Sequence, residues 1–114
     1  MFPIKEIDVM ALSTKYDDTD NIEIIDIRTP AEIARGVIPH AKTLPMHLIP
    51  LKLDYFSTAG KEIIIYCRTG SRSAQACMFL KQQGINNVSN LRGGIVSWAS
   101  GGLPIDHAPA GAIN

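Results

Sequence analysis

The sequence has few of the residues from which cross-links and metal centres are built. Its 114 residues include two cysteines, Cys67 and Cys77, and three histidines. Two cysteines in a chain large enough for its own core make no disulfide framework, so a reducing compartment is the simpler setting. Neither cysteine has a Cys or His nearby at metal-ligand spacing, and no metal or other cofactor is expected. Charge of one sign is not in excess either: eleven Lys and Arg balance eleven Asp and Glu. That balance argues against nucleic acid or an anionic membrane as a partner. Long hydrophobic runs are missing. No stretch approaches the roughly 18 apolar residues of a membrane helix, and MFPIKEIDVMAL lacks the basic start and unbroken apolar core of a secretory signal. A cytoplasmic protein is the expectation.

What is present is apolar content, 46% of residues, spread along the whole length and sufficient for one continuous core. One domain over residues 1–114 is expected, with a short flexible tail at about 105–114. FPIKEI reads as a lead-in or short strand, and Asp8 as the cap of a helix in which Val9, Leu12 and Tyr16 share a face. Asp17, Asp18 and Asp20 lack the further ligands of a calcium loop and read as a solvated turn. IEIIDI is a strand, followed by Thr29 as cap and Pro30 at the first position of a short helix. Residues 41–44 form a short strand, and HLIPLKLDYF an irregular helix broken at Pro50. IIIY is a strand buried on both faces, residues 74–83 a helix whose apolar stripe is Ala74, Cys77 and Met78, and residues 88–91 a last strand. Strands alternating with helices predict an α/β domain: a mainly parallel central sheet of four to five strands with helices on both faces.

The chemistry concentrates between Ile63 and Ser73, in IIIYCRTGSRS. Cys67 stands at a strand end, Gly70 lets the backbone turn inward, and Ser73 is read as the cap of the next helix. Helix-start amides without intrahelical partners form an anion site, to which Arg68 and Arg72 add charge. Such surroundings lower a cysteine pKa from about 8.5 to roughly 3.5–7.5, so Cys67 is expected to be the nucleophile. Arg68, Thr69, Gly70, Ser71, Arg72 and Ser73 are the expected substrate-binding residues. Asp26 and Arg28, at the end of the preceding strand, should reach the same crevice and are read as an ion pair. His40, His47 and His107 are read as surface or turn residues, Cys77 as a core residue and Trp98 as packing.

A strand ending in Cys, the loop C-R-x-G-x-R-S and a following helix resemble the active-site loop of the rhodanese (sulfurtransferase) family. Asp26, Arg28, Glu32 and Gly36 resemble that family's D-x-R-x-x-x-E-x-x-x-G segment, and Gly93, Gly94 and Trp98 its G-G-x-x-x-W signature. GVIPHA departs from the common G-H-I-x-G-A, placing histidine at position 40 instead of 37. The resemblance covers about residues 20–104. It implies a rhodanese-like fold and strand order, places Arg28 near the active-site face and so makes it a further candidate for the substrate-binding pocket, and makes thiosulfate the default donor.

A cysteine in an anion-binding loop serves sulfur transfer, phosphoryl transfer or thiol redox exchange. Redox exchange pairs thiols as C-x-x-C, which this sequence lacks. Cysteine phosphatases and arsenate reductases resemble C-x-x-x-x-x-R, whereas only four residues separate Cys67 from Arg72. A smaller ring of amides suits one sulfur better than three equatorial phosphoryl oxygens. The expected activity is therefore transfer of sulfane sulfur from thiosulfate or a persulfide to cyanide or a cellular thiol, through a persulfide on Cys67. A cysteine-dependent phosphatase or arsenate reductase, or a non-catalytic rhodanese-like binding module, stands as the alternative.

Overall fold

The structure is a computed structural model and describes residues 3–114; Phe2, the first residue of the expected lead-in, lies outside that range. Twelve short elements follow one another: β1 (Glu6–Ile7), α1 (Val9–Ser13), β2 (Ile22–Asp26), α2 (Pro30–Ile33), β3 (Lys42–Thr43), a 3₁₀ turn (Met46–Leu51), α3 (Leu53–Ser57), β4 (Glu62–Tyr66), α4 (Ser71–Gln82), β5 (Val88–Leu91), α5 (Gly94–Ser100) and β6 (Gly111–Ala112). The strands form one sheet in the order β1-β5-β4-β2-β3-β6, and every pair is parallel. Six strands replace the expected four to five. The addition is the two-residue edge strand β6, too short for an alternating pattern to announce it, while β1 lies within FPIKEI, read as a lead-in or short strand. Residues 105–114, expected as a tail, carry β6; Ile113 N–H donates to the Thr43 carbonyl at 2.9 Å, and the Ile113 side chain is buried.

Period-two alternation splits the central strands between two cores. Ile25, Ile63, Ile65 and Cys67 face Phe56, Cys77 and Leu80 on one side. Ile24, Ile64 and Tyr66 face Leu12, Ile95 and Trp98 on the other. Helices thus cover both faces, as the buried runs Ile24–Ile25 in β2 and Ile63–Tyr66 in β4 require. The expected shared face of Val9, Leu12 and Tyr16 lies in the second core, with Asp8 capping α1 through Ala11 N–H at 2.8 Å. The α4 stripe differs from expectation: Ser73, Ala76, Cys77 and Leu80 are buried, while Ala74 and Met78 are only partly so. The helix begins at Ser71, earlier than expected, and its buried residues follow the i, i+3, i+4, i+7 spacing from Ser73, a stripe centred one position away from Ala74 and Met78.

After β2 the chain leaves for α2 and β3 on one side of the sheet; after β4 it leaves for α4 and β5 on the other. The loops at the carboxyl ends of β2 and β4 therefore diverge and open a crevice between them. The strands are in register there, with Asp26 opposite Tyr66.

Candidate active site

Cys67 is the first residue past β4. Its sulfur lies at the floor of the loop formed by residues 67–70, and the residue has no exposed surface. Gly70, at φ +99°, turns the chain and is the N-cap of α4, the place that sequence reasoning gave to Ser73. Ser73 is two positions inside the helix from Ser71. Its N–H is one of the amides that a helix start leaves unpaired, and it turns to the sulfur.

Three donors reach Cys67 Sγ: Gly70 N–H at 3.1 Å, Ser73 N–H at 3.5 Å and the Ser73 hydroxyl at 3.4 Å. Burial penalises the thiolate, and this is the largest single influence. The Ser73 hydroxyl and the amides of Ser73, Gly70 and Thr69 together outweigh it, so the Cys67 pKa is lowered. Cys77 shows what burial does without such donors: its thiol is pushed up to about 12.

The second glycine-rich turn holds the loop in place from behind. Ile95 N–H donates to the Cys67 carbonyl and Val96 N–H to the Arg68 carbonyl, both at 3.1 Å. With these carbonyls drawn toward the start of α5, the loop amides are left to face the sulfur. The backbones approach so closely that a Cβ on Gly94 would lie 2.4 Å from the Arg68 carbonyl oxygen and 2.5 Å from that of Cys67. Gly94 also has φ +60°. Gly94→Ala should therefore lower Tm by about 5 °C or more and slow Cys67 alkylation. Gly102→Ala, at φ +73° with nothing within 4 Å of the added Cβ, isolates the backbone strain and should cost less.

Arg28 and Asp26 form the expected ion pair, at 2.8 Å and buried. Arg28 also donates to the Gly36 carbonyl at 2.7 Å and to the Glu32 carbonyl at 3.3 Å, tying the end of β2 to α2 and to the turn after it. Its guanidinium lies 5.7 Å from the centre of the Tyr66 ring. Burial and neighbouring Asp26 push the Tyr66 hydroxyl pKa well up. Arg28 thus braces the crevice and forms part of its wall.

Glu32, absent from the substrate-binding residues inferred from the sequence, joins the two loops. It accepts from Thr29 N–H at 3.1 Å in a capping box and forms a two-bond pair with Arg72, at 2.9 and 2.8 Å. Its carboxyl is held at about 2, first by the Arg72 bonds and then by Thr29 against a burial penalty. The sign is that of a depressed acid: the pair's contribution is complete above the ordinary carboxylate range and is lost only as pH falls toward 2. Arg72 consequently reaches the site with its charge already matched. Arg68 forms no ion pair among the described residues and lines a cleft of about 270 Å³ with Arg35, Ile95 and Val96. Thr69 and Ser71 are exposed.

The histidines stand apart from the sulfur's partners. His40 is exposed in a turn at φ +71°, with its ring 6.1 Å from that of Tyr16. His47 lines a cleft with Arg72, and His107 one with Arg28 and Pro30. Trp98 is packed in the second core and donates to the Pro104 carbonyl at 2.7 Å. A cleft of about 670 Å³ lies at the opposite end of the sheet, among Lys5, Lys61, Gly84 and Asn86, and contains neither cysteine. Among the described residues no cluster of His, Cys, Asp or Glu could hold a metal ion, and no helix is long and apolar enough to cross a membrane.

The rhodanese-like domain model matches residues 10–101. The chain belongs to the rhodanese-like domain family. A protein named sulfurtransferase from Allochromatium vinosum is 53% identical over 102 residues, covering 90% of this chain and 94% of its own length. The crystal structure of a rhodanese-like domain protein from Staphylococcus aureus is 36% identical with a TM-score of 0.76, covering 90% of this chain and 99% of that one. A rhodanese-related protein from Thermoplasma volcanium is 29% identical with a TM-score of 0.78, covering 90% and 98%. This rhodanese-like domain therefore has relatives of nearly its own extent, and its parallel sheet with helices on both faces is their fold.

Proposed function

We propose that this chain is a sulfurtransferase that carries sulfane sulfur on Cys67 as a persulfide. Family membership and the name of the Allochromatium relative support the sulfurtransferase role. The observation that carries the finer reading is the convergence of Gly70 N–H, Ser73 N–H and the Ser73 hydroxyl on one buried sulfur.

In this mechanism Cys67 thiolate attacks the outer sulfur of thiosulfate or of another sulfane donor. A new S–S bond forms, and the donor's own S–S bond breaks with its electron pair leaving on sulfite when the donor is thiosulfate, or on a thiolate when it is a persulfide. The loop amides then face the persulfide, whose terminal sulfur carries the charge, as donors face an oxyanion. An acceptor nucleophile, cyanide in an assay or a cellular thiol, attacks that terminal sulfur and returns Cys67 as thiolate. None of these steps calls for a metal or cofactor. Cys67 is shielded from solvent at rest, so the donor must part the side chains above it, and the exposed cation of Arg68 gives an anionic donor its first contact.

Thiocyanate production from thiosulfate and cyanide tests the proposal. Turnover with sulfite released in step is expected; robust Cys67-dependent hydrolysis of an aryl phosphate with no thiocyanate would contradict it. Arg72→Ala should lower kcat/KM for thiosulfate by about tenfold, because it removes a cation and also bares the Glu32 carboxylate toward an anionic donor. Arg68→Ala removes only an exposed cation and should cost less, with the loss diminishing as salt is raised.

A further inference from the structure

We infer that Asn90 is a positioning residue for the reaction at Cys67: it holds the Ser73 hydroxyl beside the sulfur and competes with that sulfur for the hydroxyl's single proton. The inference rests on Cys67 being the reacting thiol.

Asn90 lies on β5 opposite Ile65 of β4, two residues before Cys67, and is 2% exposed. Its amide orientation is set by its neighbours. One amide atom lies 3.2 Å from the Gly70 carbonyl oxygen and 3.1 Å from a Glu6 carboxylate oxygen, both of which only accept, so that atom is the nitrogen. The remaining atom, Oδ1, must then face Ser73 Oγ, at 2.5 Å, and the hydroxyl is its donor.

Ser73 Oγ therefore has one proton and two neighbours that can take it, Asn90 Oδ1 at 2.5 Å and Cys67 Sγ at 3.4 Å. While Cys67 is a thiol, its S–H donates to Oγ and the Ser73 hydroxyl donates to Asn90 Oδ1. When the thiol proton leaves to solvent, the sulfur becomes an anionic acceptor. The hydroxyl then turns about its Cβ–Oγ bond and donates to sulfur, with no heavy atom displaced and no other bond formed or broken. A charged persulfide sulfur draws on the same proton. Asn90 thus fixes Oγ in place and sets how strongly the proton is withheld from the thiolate. The other charged or titratable groups around the pair are Glu6, with Arg92 at 3.5 Å from it, Arg68 and Arg72 of the loop, and Cys77 on α4.

The test is the pH profile of Cys67 carbamidomethylation by iodoacetamide, read by peptide mass, which requires no sulfur transfer. Asn90→Leu leaves the hydroxyl no acceptor but sulfur, and the midpoint should fall by roughly half a pH unit. Asn90→Asp retains an oxygen acceptor and adds negative charge, so the midpoint should rise. In a Ser73→Ala background, whose own midpoint lies above wild type, Asn90→Leu should produce no further shift. Should the Leu variant fail to fold by circular dichroism, Asn90→Ala replaces it with the same expected sign. No shift in the Leu or Ala variant, shifts of equal sign for Leu and Asp, or an undiminished shift in the Ser73→Ala background would overturn the inference. A wild-type Cys67 that fails to alkylate below pH 9 would instead overturn its assignment as the reactive thiol.

Discussion

Cys67→Ser is expected to abolish thiocyanate formation, and Cys77→Ala to leave it at the wild-type level. Both cysteines are free and both are buried, so accessibility does not distinguish them. The hydrogen bonds do. Cys67 Sγ is met by Gly70 and Ser73, and its thiol is held below the ordinary value even though burial opposes ionisation. Cys77, four residues past Ser73 on the buried face of α4, has burial as its largest influence and stays a neutral thiol at any physiological pH, with a pKa of about 12. A serine hydroxyl at position 67 would receive the same donors but starts far less acidic than a thiol, and the oxygen–sulfur bond it would form is not a sulfane carrier. The profile of Cys67 alkylation supplies the pH arm. Its midpoint should lie below the free-cysteine value of about 8.5, with reactivity retained as pH falls until the thiolate is protonated. The Glu32–Arg72 pair stays intact throughout that range, because Glu32 protonates only near 2.

The second large effect concerns the length of the loop. Inserting one glycine between Thr69 and Gly70 should lower sulfur transfer by on the order of a hundredfold, the loss expected when donors are misplaced by about 1 Å. The geometry explains why so small a change cannot be absorbed. The loop's upstream end is fixed by Ile95 and Val96 N–H bonding to the carbonyls of Cys67 and Arg68, and by the backbone contact with Gly94. Its downstream end is fixed by α4, whose first turn closes with Ala74 N–H on the Gly70 carbonyl at 3.0 Å. An added residue must push Gly70 N–H away from the sulfur, since neither end can yield. Transfer within threefold of wild type in a folded insertion variant would show that loop length does not define the ring of donors. Gain of weak aryl-phosphate hydrolysis is the lesser half of the prediction, because the insertion provides no general acid for the leaving group.

The sequence carried the fold as far as its longer elements. Ile63–Tyr66 reads as a strand covered on both sides and IEIIDI as a second strand, and Asp8, Thr29 and Pro30 mark helix starts through the chemistry of unpaired amides. The edge strand β6 escapes that reading because two residues cannot display a period. Ser73 looked like a cap because serine favours that role; Gly70 takes it because only a left-handed turn brings the chain back over the sulfur, and Ser73 is freed to donate to Cys67. The arginines were read as two open cations, yet one is matched by Glu32, a contact 40 positions apart that no local pattern encodes. Asn90 carries no motif that singles it out. A polar residue within the short strand VSNL was the available signal, since a buried amide on a central strand must find partners.

The central claim is that Cys67 carries sulfur, and intact-protein mass measures this most directly. After incubation with thiosulfate the wild-type protein should be heavier by one sulfur atom, with the added atom located by peptide mapping on Cys67, and cyanide should restore the original mass. An unchanged mass with thiosulfate and with persulfide donors, or an adduct that maps to Cys77, would contradict it.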